Sequence, residues 1–104
     1  MEFKKGDNYT YSNALVTKDS VLLVGIVVDK TEDDLKTFNV SVANDDATTT
    51  KTMEEVEIPE SKKSHFDVDI TINVGSQAAT EKWYFTVTDV DGNIAQKILI
   101  FFVQ

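Results

Sequence analysis

The sequence predicts an all-β fold, a single antiparallel β-sandwich of about seven strands. Apolar and polar residues alternate with a period of two in several segments, and no helical period is sustained over about ten residues. Turn-forming residues separate these segments at the spacing of about 8 to 12 residues that is typical of sandwiches. The 104 residues, 41% of them hydrophobic, suffice for one core. We expect a flexible N-terminal segment, 1–8, and one sandwich domain over 9–104.

The first half of the domain contains three predicted strands. The first runs from Tyr9 to Val16. The second, Val21 to Val28, is apolar on both faces apart from Gly25. Such a strand is covered on both sides, or a neighbour approaches it closely at the glycine. The third strand, Leu35 to Ala43, alternates apolar and polar residues and ends in a polar turn at 44–46.

The second half begins with an ambiguous stretch, 47–58. Its threonine run favours an edge strand, whereas 53–56 fits one helical turn. We predict a short edge element, because Pro59 cannot donate to a ladder and is confined to edges, ends and connections. His65 to Val74 is the clearest strand, with strict alternation between a core face and a solvated face. A loop at 75–80 then leads into the last two strands.

The strongest local signal is the closing segment, 82–103, in which two β-branched and aromatic runs flank Asp91-Gly92. A two-residue turn there sets Phe85 opposite Ile98, and cross-strand partners share a face. The predicted core set is Trp83, Phe85, Val87, Ile98, Ile100 and Phe102, and the predicted outer set is Tyr84, Thr86, Thr88, Lys97, Leu99 and Phe101. A four-residue loop leaves this division unchanged, whereas a three- or five-residue loop inverts it on one strand.

Charge and composition exclude several functions. With 18 acidic and 10 basic residues the formal charge is −8, so we expect no nucleic-acid partner and no anionic membrane partner. The absence of cysteine excludes disulfides, thiolate metal sites and cysteine nucleophiles. No apolar run approaches the ~18 residues of a transmembrane segment, and 1–8 lacks the features of a signal peptide. Either the protein is cytosolic or a targeting segment precedes this chain.

The segment from Trp83 to Val103 resembles the last two strands of bacterial immunoglobulin-like domains, in which aromatic-x-Phe-Thr-Val-Thr-Asp-x-Asp-Gly-Asn precedes an alternating apolar strand. The opening, with Tyr9-x-Tyr11-Ser12 and Val21-Leu22-x-Val24-Gly25-Ile26, is similar to small immunoglobulin-like surface lipoproteins and adhesin-like domains of gut Gram-negative anaerobes. This resemblance implies an immunoglobulin-like sandwich that is exported to the periplasm or outer cell surface, with a lipid anchor ahead of this chain. It also implies that Trp83 stands in place of a tyrosine corner.

Acidic loops are candidates for a metal site. In a sandwich of this connectivity, the loop after the second strand and the turn of the last hairpin lie at one end. The residues expected to meet there include Asp29, Asp33, Asp89, Asp91 and Asn93. Such oxygen-rich poles bind Ca²⁺, but 89–93 matches only the first three ligand positions of an EF-hand loop. Aspartates also cap turns, which is the simpler interpretation.

The outer face of the last hairpin is the candidate interface. Tyr84, Leu99 and Phe101 are predicted to be exposed together, and contiguous apolar surface usually marks an interface. The alternative is that the N-terminal segment with Tyr9 and Tyr11 covers this face.

We therefore predict a non-enzymatic binding or spacer module without a cofactor, whose partner is a protein or a glycan. The single histidine, His65, shares a solvated strand face with Asp67 and does not converge on a pocket, which argues against catalysis. Two alternative functions stay open. One is a self-associating subunit, a homodimer through the outer face of the last hairpin, and the other is a calcium-dependent adhesion module.

Overall fold

The computed structural model describes residues 1–45, 47 and 49–104. In that part of the chain there are eight strands, one short 3₁₀ turn (Glu60–Lys62) and no α-helix. The strands are β1 (Glu2–Phe3), β2 (Ala14–Val16), β3 (Val21–Asp29), β4 (Leu35–Asn44), β5 (Lys51–Glu57), β6 (His65–Asn73), β7 (Ala79–Asp89) and β8 (Ile94–Val103). None of the described elements is a helix with the length and apolar character to cross a membrane. The all-β prediction is confirmed.

The strands form two open sheets that face each other as a sandwich. One sheet has three strands in the order β1-β3-β6, and the other has five in the order β2-β8-β7-β4-β5. Neighbours are antiparallel except for β2, which runs parallel to β8. Inward-facing side chains of both sheets share one core, in which Phe38, Phe85 and Phe101 are fully buried. Alternation along each strand sends the other residues outward.

The long strands lie where the sequence predicts them, and the short ones differ. β3, β4 and β6 begin at the predicted residues. β2 covers only the end of the predicted strand 9–16. β5 is the outermost strand of the five-stranded sheet, as predicted for 47–58, and Pro59 follows in the connection to β6. Asp46 and Thr48, which fall in the predicted turn and in this edge element, lie outside the described residues.

The hairpin of β7 and β8 closes through a three-residue loop. The N–H of Asp89 donates to the carbonyl of Asn93 at 3.0 Å, and the N–H of Gly92 donates to the carbonyl of Asp89 at 3.1 Å, which leaves 90–92 as the loop. Gly92 has a φ of 88°, the left-handed conformation that follows a type I turn in loops of this length. A side chain would make that conformation costly, so the glycine selects this loop.

This loop inverts the predicted faces of β8. Trp83 pairs with Leu99, and Phe85 pairs with Lys97. The buried residues of the hairpin are Glu81, Trp83, Phe85, Val87, Leu99, Phe101 and Val103. The prediction that Ile98, Ile100 and Phe102 belong to the core was therefore wrong, as was the prediction that Leu99 and Phe101 lie on the outer face. The physical reason is the odd number of loop residues, which shifts the pairing by one position.

The N-terminal segment lies along the edge of β3, and its Lys4 and Tyr9 side chains cross the outer face of the three-stranded sheet. β1, inside the segment that the sequence predicts to be flexible, pairs with β3. A Cβ atom on Gly25 of β3 would lie 2.6 Å from Cδ of Lys4 and 2.8 Å from Cε1 of Tyr9. Both side chains reach Asp69: Lys4 Nζ lies 2.9 Å and the Tyr9 hydroxyl 3.2 Å from Oδ1. Gly25 thus permits the close approach that the sequence predicts.

A buried carboxylate links Trp83 to the loop before β7. The Trp83 indole N–H donates to Oε1 of Glu81 at 3.0 Å, and the Gly75 N–H donates to Oε2 of Glu81 at 2.9 Å. Glu81 is only 4% exposed, and its two oxygens accept the hydrogen bonds that water would accept if these donors were exposed. The Trp83 indole is therefore linked to the backbone of the loop before β7 through a carboxylate, whereas the hydroxyl of a tyrosine corner bonds to the backbone directly.

Candidate functional site

The outer face of the five-stranded sheet carries a contiguous apolar patch. Every second residue of β8 from Ile98 onward points outward, and the register places their neighbours on β2 and β7. We call these five residues the outer patch: Leu15, Tyr84, Ile98, Ile100 and Phe102. Leu15 lies beside Phe102, and Tyr84 lies opposite Ile98.

Exposure distinguishes this patch from a covered surface. Leu15 is 68% exposed, and Ile98 and Phe102 are each 45% exposed. Tyr84 and Ile100 are half-buried. Tyr9 and Tyr11 do not cover it, because the N-terminal segment runs along β3 of the opposite sheet. Contiguous exposed apolar side chains of this kind mark interaction surfaces.

The patch contains only one of the three residues that the sequence predicts for partner binding. Tyr84 lies in it, whereas Leu99 is 2% exposed and Phe101 is 0% exposed. Sequence reasoning missed Ile98 and Phe102, which it assigned to the core, and Leu15, which it did not assign to a surface. The glycine at the third loop position was the available signal for the correct register.

Polar residues adjoin the patch along the same face. Gln96 Nε2 donates to the Thr86 hydroxyl at 2.9 Å, two positions from Ile98 and Tyr84. Lys82 pairs with Ile100 on one side and with the buried Ala43 on the other. An apolar centre with a polar rim is the usual composition of a protein interface.

The acidic loops meet at one end of the sandwich, as predicted. The N–H of Val90 donates to the carbonyl of Asp34 at 3.0 Å, which joins the β7–β8 turn to the β3–β4 loop. The hydrogen bond that Asp33 shares with the Asp91 carboxyl raises the pKa of Asp33, and desolvation and the charges of Asp91 and Asp89 act in the same direction. The loops therefore hold two carboxyl groups close together.

Asp89 is engaged by its own turn. Its Oδ1 accepts from the N–H of Asp91 at 3.0 Å and of Asn93 at 2.8 Å, and its Oδ2 accepts from Nδ2 of Asn93 at 3.1 Å. Desolvation raises the pKa of Asp89, but these hydrogen bonds outweigh it and the net direction is downward. The charge of Asp89 thus stabilises the turn, as the simpler interpretation of these aspartates predicts.

Four of the five candidate metal residues line a cleft at this end of the sandwich. Asp29, Asp33, Asp89 and Asn93 border a cleft of about 170 Å³ at this end, and Asp91 does not. Oδ1 of Asp29 instead lies 2.6 Å from Nδ1 of His65, a contact across β3 and β6. Over residues 1–45, 47 and 49–104, no three acidic, histidine or cysteine side chains converge closely enough to hold a metal ion.

His65 lies on a solvated strand face, as predicted. Its side chain is 55% exposed, and its Nε2 lies 3.9 Å from Oδ2 of Asp67 on the same face. A base and a nucleophile need to converge in one cavity. The two carboxylates flank the imidazole on an open surface instead.

No protein-family model matches the sequence, and no curated protein matches it.

Proposed function

We propose that this chain is a non-enzymatic, immunoglobulin-like binding module that engages a protein partner through the outer patch. The observation that carries the proposal is the exposure of neighbouring large apolar side chains on an ordered sheet, with Leu15 at 68% and Ile98 and Phe102 at 45%. Burial of apolar surface is the main favourable term in protein association. A rigid sheet also presents such side chains with little further entropic cost.

A protein fits this surface better than a glycan. Three of the five patch residues are aliphatic, and one of the two aromatic rings, Tyr84, is half-buried. Aliphatic side chains offer burial but no hydrogen bonds, and protein interfaces bury such groups at their centre. The formal charge of −8 disfavours a second copy of the chain as the partner.

Strand order supports the immunoglobulin-like part of the proposal. The first two strands are short and lie in different sheets, β1 beside β3 and β2 beside β8. β3 pairs with β6 in one sheet, and β4, β7 and β8 are neighbours in the other, which corresponds to the B–E and C–F–G arrangement of such domains. The proposed export to the periplasm or cell surface rests on the sequence resemblance.

The test compares Ile98→Asp with a matched control, Val21→Asp. Both replace an exposed β-branched residue of a strand, but Val21 is 67% exposed on the three-stranded sheet, away from the patch. Partners are identified with the immobilised wild-type domain, purified, and titrated against each variant by calorimetry. Circular dichroism checks that both variants fold.

We expect Ile98→Asp to weaken binding about tenfold or more, as at an interface hot spot, and Val21→Asp to leave it unchanged. A protein that binds both variants equally overturns the assignment of the patch. Recognition of glycans alone overturns the partner class. A wild-type dimer that dissociates on Ile98→Asp, seen by light scattering, would assign the patch to a second copy.

A further inference from the structure

The outer edge of β6 carries backbone groups that no other strand satisfies within residues 1–45, 47 and 49–104. In that part of the chain the nine residues of β6 pair with β3 alone. The neighbouring bonds define which residues face β3: the N–H of Lys30 donates to the carbonyl of Ser64 at 3.0 Å, and the N–H of Val74 donates to the carbonyl of Ser20 at 2.9 Å. Even-numbered residues of β6 therefore bond to β3. The N–H and C=O groups of Asp67, Asp69 and Thr71 point to the open edge.

The other edge of this sheet, along β3, is covered by the N-terminal segment. The N–H of Lys4 donates to the carbonyl of Gly25 at 2.9 Å, and the N–H of Thr10 donates to the carbonyl of Leu23 at 2.7 Å. Odd-numbered residues of β3 thus bond to the N-terminal segment, which agrees with the parity on β6. Within the described residues, the long open edge of this sheet is that of β6.

The sandwich is also open beside this edge. β5 is an edge strand of the five-stranded sheet and lies on the same side of the sandwich as β6. A cleft of about 150 Å³ separates the two strands. The cleft is lined by Val40, Met53, Glu54, Ile70, Thr71, Asn73 and Trp83. Met53 is 49% exposed. An added strand would therefore find backbone partners on β6 and, beneath every second side chain, a cleft in which Met53 is the exposed apolar residue.

Charge selects the partner. Residues of an added strand that pair with odd positions of β6 share the outer face with Asp67 and Asp69. Lys4 forms an ion pair with Asp69 at 2.9 Å. Within the described residues, Asp67, whose side chain is 52% exposed, has no ion pair closer than the 3.9 Å contact with His65. The adjacent β5 adds Glu54, which lines the cleft. A second copy would bring the same acidic edge.

We propose that the open edge of β6 binds an extended basic segment of a partner protein by strand addition, with basic residues on the outer face and apolar residues over the cleft. This site goes beyond the outer patch, because it lies on the other sheet and uses backbone hydrogen bonds. An experiment can therefore refute one of the two proposed sites and leave the other standing.

The probe is a blocked peptide of alternating lysine and valine, as long as β6, and its control has glutamate in place of lysine. Binding is measured by NMR titration of the labelled full chain. We expect the lysine peptide to shift the amide signals of Asp67, Asp69 and Thr71 and to slow their hydrogen exchange, while signals of the outer patch stay in place. The glutamate peptide should leave all these signals unchanged.

Two variants, each with a matched control, test the backbone hydrogen bonds and the charge preference of the proposed site. Thr71→Pro removes one edge N–H that has no partner on β3, and edge positions tolerate proline. It should weaken binding about tenfold or more, whereas Thr71→Val should retain it. Asp67→Lys should weaken binding about fivefold, whereas Glu32→Lys, an equal change of charge in the β3–β4 loop, should have no effect. The second pair decides the proposal if Thr71→Pro does not fold.

Several results would overturn the proposal. They are shifts confined to the outer patch, equal binding of the two peptides, unchanged exchange at the edge amides, or equal effects of Asp67→Lys and Glu32→Lys. A dimer of the free chain that Thr71→Pro separates would overturn the assigned partner, because the edge would then be filled by a second copy.

Discussion

Truncation of two adjacent phenylalanines tests the register of the last hairpin. Phe101 is 0% exposed and lies in the core, whereas Phe102 is 45% exposed in the outer patch. Phe101→Ala leaves a cavity among close-packed neighbours and should cost about 4 kcal/mol of the free energy of unfolding. Phe102→Ala leaves no enclosed cavity, and the loss of partial burial should cost about 1 kcal/mol. A two-residue or four-residue loop would predict the reverse order.

The assay is thermal unfolding followed by the fluorescence of Trp83, the one tryptophan of the chain. At about 4 °C per kcal/mol for a domain of this size, Phe101→Ala should lower Tm by about 16 °C and Phe102→Ala by about 4 °C. At the low end of a total stability of about 5–15 kcal/mol, Phe101→Ala would be only marginally folded, so urea titration at low temperature serves as the second measurement. Equal losses, or a larger loss for Phe102→Ala, would refute the three-residue loop.

Three further predictions concern the Glu81–Trp83 contact, the N-terminal segment and the acidic loops. Glu81→Ala leaves the buried indole N–H of Trp83 without its acceptor and should cost about 2 kcal/mol in urea titration, and unchanged stability would contradict that role. Gly25→Ala places a methyl group 2.6 Å from Lys4 Cδ and should cost about 1–3 kcal/mol while freeing the N-terminal segment, so unchanged NMR signals of Tyr9 would contradict it. Asp91→Asn should raise Tm at neutral pH by removing repulsion with Asp33. Because the pKa of Asp33 is raised in the folded state, the native pair loses stability as pH rises through that pKa, and the Tm gain should vanish in acid. A lower Tm of Asp91→Asn at neutral pH would contradict this.

The sequence predicts the fold class and the long strands well, because their alternation is a direct consequence of burial on one face. β6 shows this best: Phe66, Ile70 and Ile72 are buried, and His65, Asp67 and Asp69 are exposed. Gly25 was also interpretable, since an interior strand glycine indicates close approach by another segment. The meeting of the acidic loops followed from connectivity alone.

The short strands and the contacts between buried polar side chains could not be predicted from the sequence. β1 has two residues, and its position is determined by tertiary contacts, such as the edge-on contact of Phe3 with Phe85 at 5.8 Å between ring centroids. No local period can identify a strand of that length. The link from Trp83 through Glu81 to Gly75 was missed because a buried carboxylate has no periodic signature, and only the fold brings its donors together.

The outer patch shows how a wrong register can accompany a correct inference about a surface. β8 ends in an unbroken run of apolar residues, 98–103, and alternation divides any such run between two faces. No loop length can bury all six, because only one face of the five-stranded sheet packs on the core within the described residues. The loop decides only which half is exposed, and the structure exposes Ile98 and Phe102 instead of Leu99 and Phe101. An apolar outer face is therefore a property of the composition of this strand, and a sequence selected only for a stable isolated domain would place polar residues at every second position of it. The partner that we propose for the outer patch would account for the apolar residues on both faces of β8.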